Sequence, residues 1–483
     1  MLRFLLLCCL SLLCTCGRAQ TPLSLAELQD RAATNALDVL VARQQFDVAS
    51  LELTAFAASL KPRLDLVANF PNYFRTSREV VLDDGTIGFR EIELNNSFVG
   101  LTATQPIAAT GGTLSLESRL QRTDNLALDA SSYQGSPVRL FFRQPLLAFN
   151  PFKWNRELLP LRHEVSHQQL DASAADAALA ATDLFFDLVA ADQERRIAEA
   201  NRTANQQLYT VARERFELGK ISRGDLVQLQ LELTTAEQNL LRSDRLVAAA
   251  SASIDRLLGR AYAGEDYQPL LPEVSDSIPV DADRARQLLQ SRRPELLAAR
   301  LREREAARNV DRTQKDLGPR IDIEAGFGLI RNDEDLGPIY SDPRSERILS
   351  VNLALPILDW GERRARVRAA ETSRELATEI ARRTELELGT ELTQLLEQWR
   401  TVRSELQLAA RIRDLANERF AISKESYELG AIPLTELSLA QQFRDRNLRA
   451  YADTLRAYWQ TYARLARLTL WDFINDRPLG IRN

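Results

Sequence analysis

Apolar residues recur along this chain with two different periods. Between Pro160 and Pro269, and again between Pro356 and Pro433, there is no proline and little glycine. Ala, Leu, Glu, Gln and Arg dominate these stretches, and all favour helix. In the second stretch Leu388, Leu392, Leu395, Trp399, Val402, Leu406 and Ala409 step by four and three in turn. That is a heptad seam, the pattern that packed or supercoiled helices bury. Residues 155–217 and 361–428 are each expected to form one helix of about 65 residues, roughly 95 Å long at the α-helical rise. Such lengths belong to rods, coiled coils or tubes, not to a compact globule.

Residues 63–149 and 319–358 alternate instead. Leu64, Leu66, Ala68 and Phe70 interleave with Arg63, Asp65, Val67 and Asn69. Ile321, Ile323, Ala325, Phe327 and Leu329 interleave with Asp322, Glu324, Gly326 and Gly328, and Leu349, Val351, Leu353 and Leu355 repeat the pattern. One apolar face opposite a small or polar face suits a membrane β-strand, and equally a soluble, half-buried strand. Phe70, Tyr73, Phe74, Phe141, Phe142, Phe149, Phe152, Trp154 and Trp360 cluster near the ends of these zones. They read either as an interfacial girdle or as ordinary core aromatics.

The chain also repeats itself. Phe216-Glu217-Leu218-Gly219-Lys220-Ile221 returns as Tyr427-Glu428-Leu429-Gly430-Ala431-Ile432, at an offset of 211. Asp225 and Leu226 match Glu436 and Leu437, and Gln230 matches Gln441. Pro145 and Pro356 keep the offset, whereas Pro62-Arg63-Leu64-Asp65 matches Pro319-Arg320-Ile321-Asp322 at 257. The difference of 46 places an insertion in the first half. The turn Gln105 to Gly112, flanked by alternating residues, marks it as one extra β-hairpin. Each half reads helix, strands, very long helix, tight break, helix. A glycine at each break permits a left-handed helix cap. Asp225 and Thr435 then fall near the next helix starts, with Pro433 in a first turn. The expected divisions are a first repeat over 20–262, with about four strands at 63–149, and a linker over 263–292. A second repeat over 293–470, with two strands at 319–358, and a tail over 471–483 complete the chain.

Composition removes several classes. With 62 Lys and Arg against 67 Asp and Glu, formally −5, this is no strongly basic nucleic-acid binder. Residues 1–19 look like a secretory signal: Arg3, an apolar core from Phe4 to Leu13, and small residues before a cut after Ala19. All four cysteines (Cys8, Cys9, Cys14, Cys16) lie inside that segment. An alternative makes Cys16 a lipidated N-terminus. No later stretch is apolar enough for a transmembrane helix. His163-Glu164-Val165-Ser166-His167 matches the H-E-x-x-H zinc motif, which would make the protein a metallopeptidase. A third ligand is required, these are the only histidines, and the motif opens a scaffold helix. No cofactor or nucleotide fingerprint appears, and no enzyme or cofactor is expected.

If the strands lie in lipid, two to six of them cannot close a barrel with a usable lumen, and open edges leave backbone groups unpaired. Several copies must share one barrel, and the long helices also need partners for their seams. The order of elements, the duplication and two motifs, Pro356-Ile357-Leu358-Asp359-Trp360-Gly361 and Tyr427-Glu428-Leu429-Gly430, resemble the outer-membrane efflux protein family of TolC-like exit ducts. The resemblance covers almost the whole mature chain. It implies an α+β membrane protein: long helical hairpins forming a periplasmic tunnel, and strands contributing to a shared transmembrane β-barrel in the outer membrane. It further implies a homotrimer, contact with outer-membrane lipid, a periplasmic adaptor protein, and an inner-membrane transporter reached through that adaptor. Residues 263–292 and the C-terminus would form a belt around the tunnel. Adaptor contact maps to Leu218, Gly219, Lys220, Ile221, Leu429, Gly430, Ala431 and Ile432. Family members carry acidic rings six and nine residues past the second glycine and a basic residue two past it. Here those positions are Glu436, Leu439 and Ile432, so the candidate gate ring is Glu436 with Asp225. A periplasmic coiled-coil scaffold or adaptor is the alternative, and it would lack the alternating strands.

Overall fold

A computed structural model describes residues 21–81, 85–260, 267–274 and 278–480. The signal segment and Cys16 lie outside the described residues. In chain order the elements are β1 (Thr21–Ser24), α1 (Leu25–Asn35), α2 (Leu37–Ser59), β2 (Arg63–Asn69), β3 (Tyr73–Val81), β4 (Ile87–Ile107), β5 (Gly112–Asn125) and β6 (Ala130–Leu146). Then come α3 (Pro151–Glu217), α4 (Arg223–Leu257), β7 (Tyr267–Leu270), α5 (Ala282–Arg292) and α6 (Pro294–Asp316). β8 (Arg320–Asp333), β9 (Arg344–Ala354), α7 (Glu362–Glu428), α8 (Leu434–Thr469), β10 (Trp471–Asp472) and β11 (Arg477–Pro478) complete the chain. The expected long helices are present: α3 and α7 have 67 residues each. Their followers match as well, with 35 residues in α4 and 36 in α8.

The residues form two compact units. One comprises residues up to 46, 166–296 and 385 onward, and is helical apart from two small sheets. Its core holds the seam read from the sequence: Leu388, Leu392, Leu395, Trp399, Val402 and Leu406 are buried, with Ala409 half-buried. Trp399 packs on Tyr458 and Tyr462 at ring distances of 4.9 and 5.9 Å. β1 pairs with β7 in parallel, which ties the start of the described chain to the 263–292 linker. After α8 the chain turns at Leu470 (φ +49°) into the β10–β11 hairpin. The Asp472 carboxylate organises that turn, accepting from the Tyr462 hydroxyl at 2.7 Å, the Asn475 amide at 2.6 Å and the Ile474 and Asn475 backbone N–H groups. Burial pushes the Asp472 carboxyl up, but these hydrogen bonds outweigh it and hold it below its ordinary range.

The other unit comprises residues 47–165 and 297–384. It carries an antiparallel sheet ordered β2-β4-β5-β6-β8-β9, with β3 also paired to β4. The first half supplies the additional hairpin expected from the insertion, and its turn spans residues 108–111. Partners across an antiparallel sheet share a face. Following the register, Leu64 lies across from Ala103, then Leu116, Leu140 and Phe327. Leu114 lies across from Phe142, then Ala325 and Leu349. This face is mostly apolar, broken by Ser118 across from Leu101, Gln105 across from Leu114 and, on β9, Arg347 across from Phe327. The opposite face carries Asp65, Thr102, Ser115, Glu117, Arg139, Arg143, Glu324 and Glu346 by the same register. Arg139 pairs with Glu346 at 2.9 Å, and Arg143 with Glu324 at 3.4 Å. The register shifts around Pro137 in β6, where a ladder donor is missing. At that end of the sheet Ile339 is fully buried against Gly135.

Of the aromatic cluster, Phe70 and Trp360 are strongly exposed, Tyr73 and Phe74 less so, and Phe141, Phe142, Phe149, Phe152 and Trp154 are half-buried. Trp154 donates its indole N–H to Asp311 at 2.7 Å.

Candidate functional site

The two helix breaks adopt one geometry. At the first, Gly219 has φ +68°; its N–H donates to Phe216 C=O at 2.9 Å and the Lys220 N–H to Arg215 C=O at 2.8 Å. At the second, Gly430 has φ +76°, with Gly430 to Tyr427 at 2.9 Å and Ala431 to Ser426 at 2.8 Å. Both are Schellman caps, which need a left-handed residue that glycine supplies without a Cβ penalty. Leu218 and Leu429 are exposed apolar side chains beside these glycines; Lys220 and Ala431 are exposed, and Ile221 and Ile432 half-buried.

The next helices start differently. Ser222 caps α4 and forms a reciprocal box with Asp225: the Ser222 hydroxyl accepts from the Asp225 N–H at 3.1 Å, and the Asp225 carboxylate accepts from the Ser222 N–H and hydroxyl. Asp225 therefore sits at the helix start, as its spacing indicates. α8 is capped by Pro433, outside rather than within its first turn, and makes no side-chain cap bond. That leaves Glu436, in the first turn and exposed, to face the positive end of α8 alone. Leu439 is exposed and apolar.

Residues flanking both breaks line one cavity of about 280 Å³: Arg215 from α3, Phe420 and Tyr427 from α7, and Leu437 and Gln441 from α8. Burial raises the Tyr427 phenol above its ordinary pKa; Arg215 opposes this, while Asp225 and Glu232 reinforce it. The repeat thus brings its two copies of the motif to the same end of this unit.

A second feature was missed in the sequence. α8 meets α3 through a polar ladder. Arg467 pairs with Asp176, Gln460 donates to Asp183 at 2.6 Å, Arg456 to Asp187 at 2.6 Å, and Arg449 pairs with Glu194. The ladder ends in a buried cluster. Asn201 donates to the Asp445 carboxylate at 2.6 Å, and Arg444 donates to Asp445 at 2.7 Å and to the Asn201 carbonyl at 2.8 Å. Asp445, Arg449, Glu194 and Asn205 border a polar cavity of about 810 Å³. The available signal was Arg444, a charge where the three-four spacing from Leu437 through Ala440 and Leu448 calls for an apolar residue.

His163 and His167 lie on α3. His163 hydrogen-bonds Ser50 at 3.1 Å, and His167 rests on the Phe46 ring at 5.5 Å with Asp171 at 3.9 Å. Among the described residues no group of three or more His, Cys, Asp or Glu is placed to hold a metal ion.

The model of the outer membrane efflux protein family matches residues 112–260 and 285–469, more than half of the chain. The chain belongs to the outer membrane efflux protein family. Membership places it in the outer membrane, reaching into the periplasm, with the family's combination of β-barrel and helical tunnel. Three solved structures are similar over 92% of this chain. A membrane protein from Pseudomonas aeruginosa matches at TM-score 0.68 and 17% identity, over 90% of that chain. The outer membrane channel CmeC from Campylobacter jejuni matches at 0.67 and 16%, over 85% of its length. The outer-membrane channel OprN matches at 0.68 and 15%, over 89%. No curated protein matches. In this outer membrane efflux protein the sheet belongs to the β-barrel and the long helices to the tunnel.

Proposed function

We propose that this efflux protein is a passive exit duct, working as a homotrimer in a tripartite efflux or type I secretion system. A periplasmic adaptor engages the turns at Leu218–Ile221 and Leu429–Ile432, and an inner-membrane transporter energises transport through the adaptor. Substrates pass without chemical change. The observation that carries this reading is the sheet: one mostly apolar face, one mostly polar and charged face and, among the described residues, two edges without a strand partner, in one chain with matched helical hairpins. A lone open edge in lipid costs several kcal/mol per unpaired backbone group, so copies must pair edge to edge. A periplasmic scaffold has no use for the apolar face. Three Glu436 carboxylates about an axis would attract cations at the closed end. Asp225 adds charge nearby while Ser222 holds it in the cap.

The test is reconstitution. Detergent-extracted oligomers of three copies that conduct ions across planar bilayers are expected. A water-soluble monomer without conductance refutes the proposal.

A further inference from the structure

The two repeats contribute unequally to the sheet. The second supplies two strand rows, β8 and β9. The first supplies four. β2 pairs with residues 98–104 of β4 and β3 with residues 87–95. β5 pairs with residues 94–107 of β4, overlapping both partners, so β2 and β3 share the other edge of β4 and count as one row. The rows are β2/β3, β4, β5, β6, β8 and β9. By the sequence offsets β2 corresponds to β8 and β6 to β9, so β4 and β5 are the added pair. They sit inside the sheet, hydrogen-bonded on both sides.

Nothing in the side chains sets that pair apart from the others. Each row places an apolar residue on the same face: Leu66, Leu101, Leu116, Leu140, Ile323 and Val351. On β4 and β5 these are exposed, as they are on β9. The opposite face of the added pair is polar on β5 and mixed on β4, where Phe98 joins Asn96, Thr102 and Thr104, and Glu117 of β5 approaches Arg139 of β6 at 4.0 Å. A hairpin standing in water outside the bilayer would need no apolar face in register with the lipid face of its neighbours.

We propose that all six rows lie in the membrane, so that the trimer closes a barrel of eighteen strands rather than the twelve that two equal repeats would give. The proposal rests on the homotrimer reading above. Strand spacing of about 4.8 Å and a tilt of about 40° give a backbone diameter of about 36 Å for eighteen strands and about 24 Å for twelve. The wider barrel has about twice the cross-section and falls in the range where barrels leave an aqueous channel. The duct then suits bulky cargo at its outer end, with size selection left to the helical end.

The test uses the full chain. No cysteine follows Cys16, so Leu101→Cys, Leu116→Cys and Val351→Cys each carry a single fluorophore, with Lys220→Cys as an aqueous control. In liposomes with brominated acyl chains, the probes at 101 and 116 are expected to lose as much emission as the probe at 351. Native mass is expected to show three copies, and end-on particle images a ring of about 36 Å. Probes at 101 and 116 that keep the emission of the Lys220→Cys control, or a trimer with a ring near 24 Å, overturn the eighteen-strand barrel and leave the duct standing. A mass other than three copies overturns the trimer reading, and the strand number with it.

Discussion

Replacing Asp445 by leucine should damage the helical unit more than replacing Asp445 and Arg444 together. Both side chains are withdrawn from water, Asp445 at 10% and Arg444 at 13% exposure, so solvent screens their pairing little. Asp445→Leu leaves the guanidinium without its carboxylate and the Asn201 amide without its acceptor. Breaking one partner of a buried pair costs about 3–5 kcal/mol. Arg444 keeps two contacts, the Asn201 carbonyl at 2.8 Å and the Phe420 ring at 4.0 Å, so the expected cost is at the low end, about 3 kcal/mol. In the double variant the charges go together. One buried amide is orphaned, at about 1–2 kcal/mol, and the leucines restore an apolar seam. The double variant is therefore expected to be the more stable, by about 1–2 kcal/mol. Urea titration of the detergent-solubilised oligomer, followed by emission of the tryptophans in the same unit, measures it. Conductance adds a functional reading: the single variant loosens α8 from α3 at this level and should raise the open fraction. A single variant costing under about 1 kcal/mol, or a double variant no more stable than the single, refutes the argument.

Three further outcomes follow. Glu436→Gln is expected to lower cation preference, read as a reversal potential moving toward zero in asymmetric salt; an unchanged potential means the carboxylate does not line the path. The C-terminal turn should show two pH limits. Asp472 has a depressed folded pKa, so its contribution is present at neutral pH and lost as pH falls below its free value of 3.8. Burial and the Asp472 bond raise the Tyr462 phenol above its ordinary value of 10.0, so its contribution holds below that value and fades at higher pH. Asp472→Asn should flatten the acid limb of a melting-temperature profile and weaken the alkaline limb without abolishing it, because burial of Tyr462 remains. Finally, a Cβ on Gly135 would overlap Ile339 Cγ2, so Gly135→Val should expose residues 337–342 to protease at a cost of about 1–3 kcal/mol, with Ile339→Ala restoring protection.

The helices were legible because their signals are local and periodic. The seam from Leu388 to Leu406 states its own period, and Gly219 and Gly430 state where each helix stops. The strands were legible as a zone, and the offset of 46 announced one extra hairpin without showing where it would sit. Its place inside the sheet depends on long-range pairing between residues such as Leu101 and Ser118, which no local pattern encodes. The bulge at Pro137 is visible in hindsight, since a proline inside a strand pattern marks a break in the ladder. The candidate gate was half legible: spacing put Asp225 at a helix start, but not that Ser222 occupies its carboxylate while Glu436 stays unpaired by any cap. The Asn201–Arg444–Asp445 cluster escaped because the offending charge lies amid a strongly helical run, and its partners are more than 240 residues away.

The unequal halves have a physical reason that joins these observations. In the helical unit the repeat is nearly length-exact, 67 against 67 residues and 35 against 36. Adding one turn to a hairpin there would shift every heptad contact and every rung of the α3–α8 ladder. An antiparallel sheet has no such constraint. A hairpin inserted between two strands enters and leaves at the same edge, adds one upward and one downward row, and keeps the alternation of faces if its own residues alternate. β4 and β5 meet that condition, with Leu101 and Leu116 on one face and Thr102 and Glu117 on the other. Growth in pairs is therefore cheap in the barrel and costly in the helices. The sheet is thus free to widen while the two glycine turns at Gly219 and Gly430 stay matched.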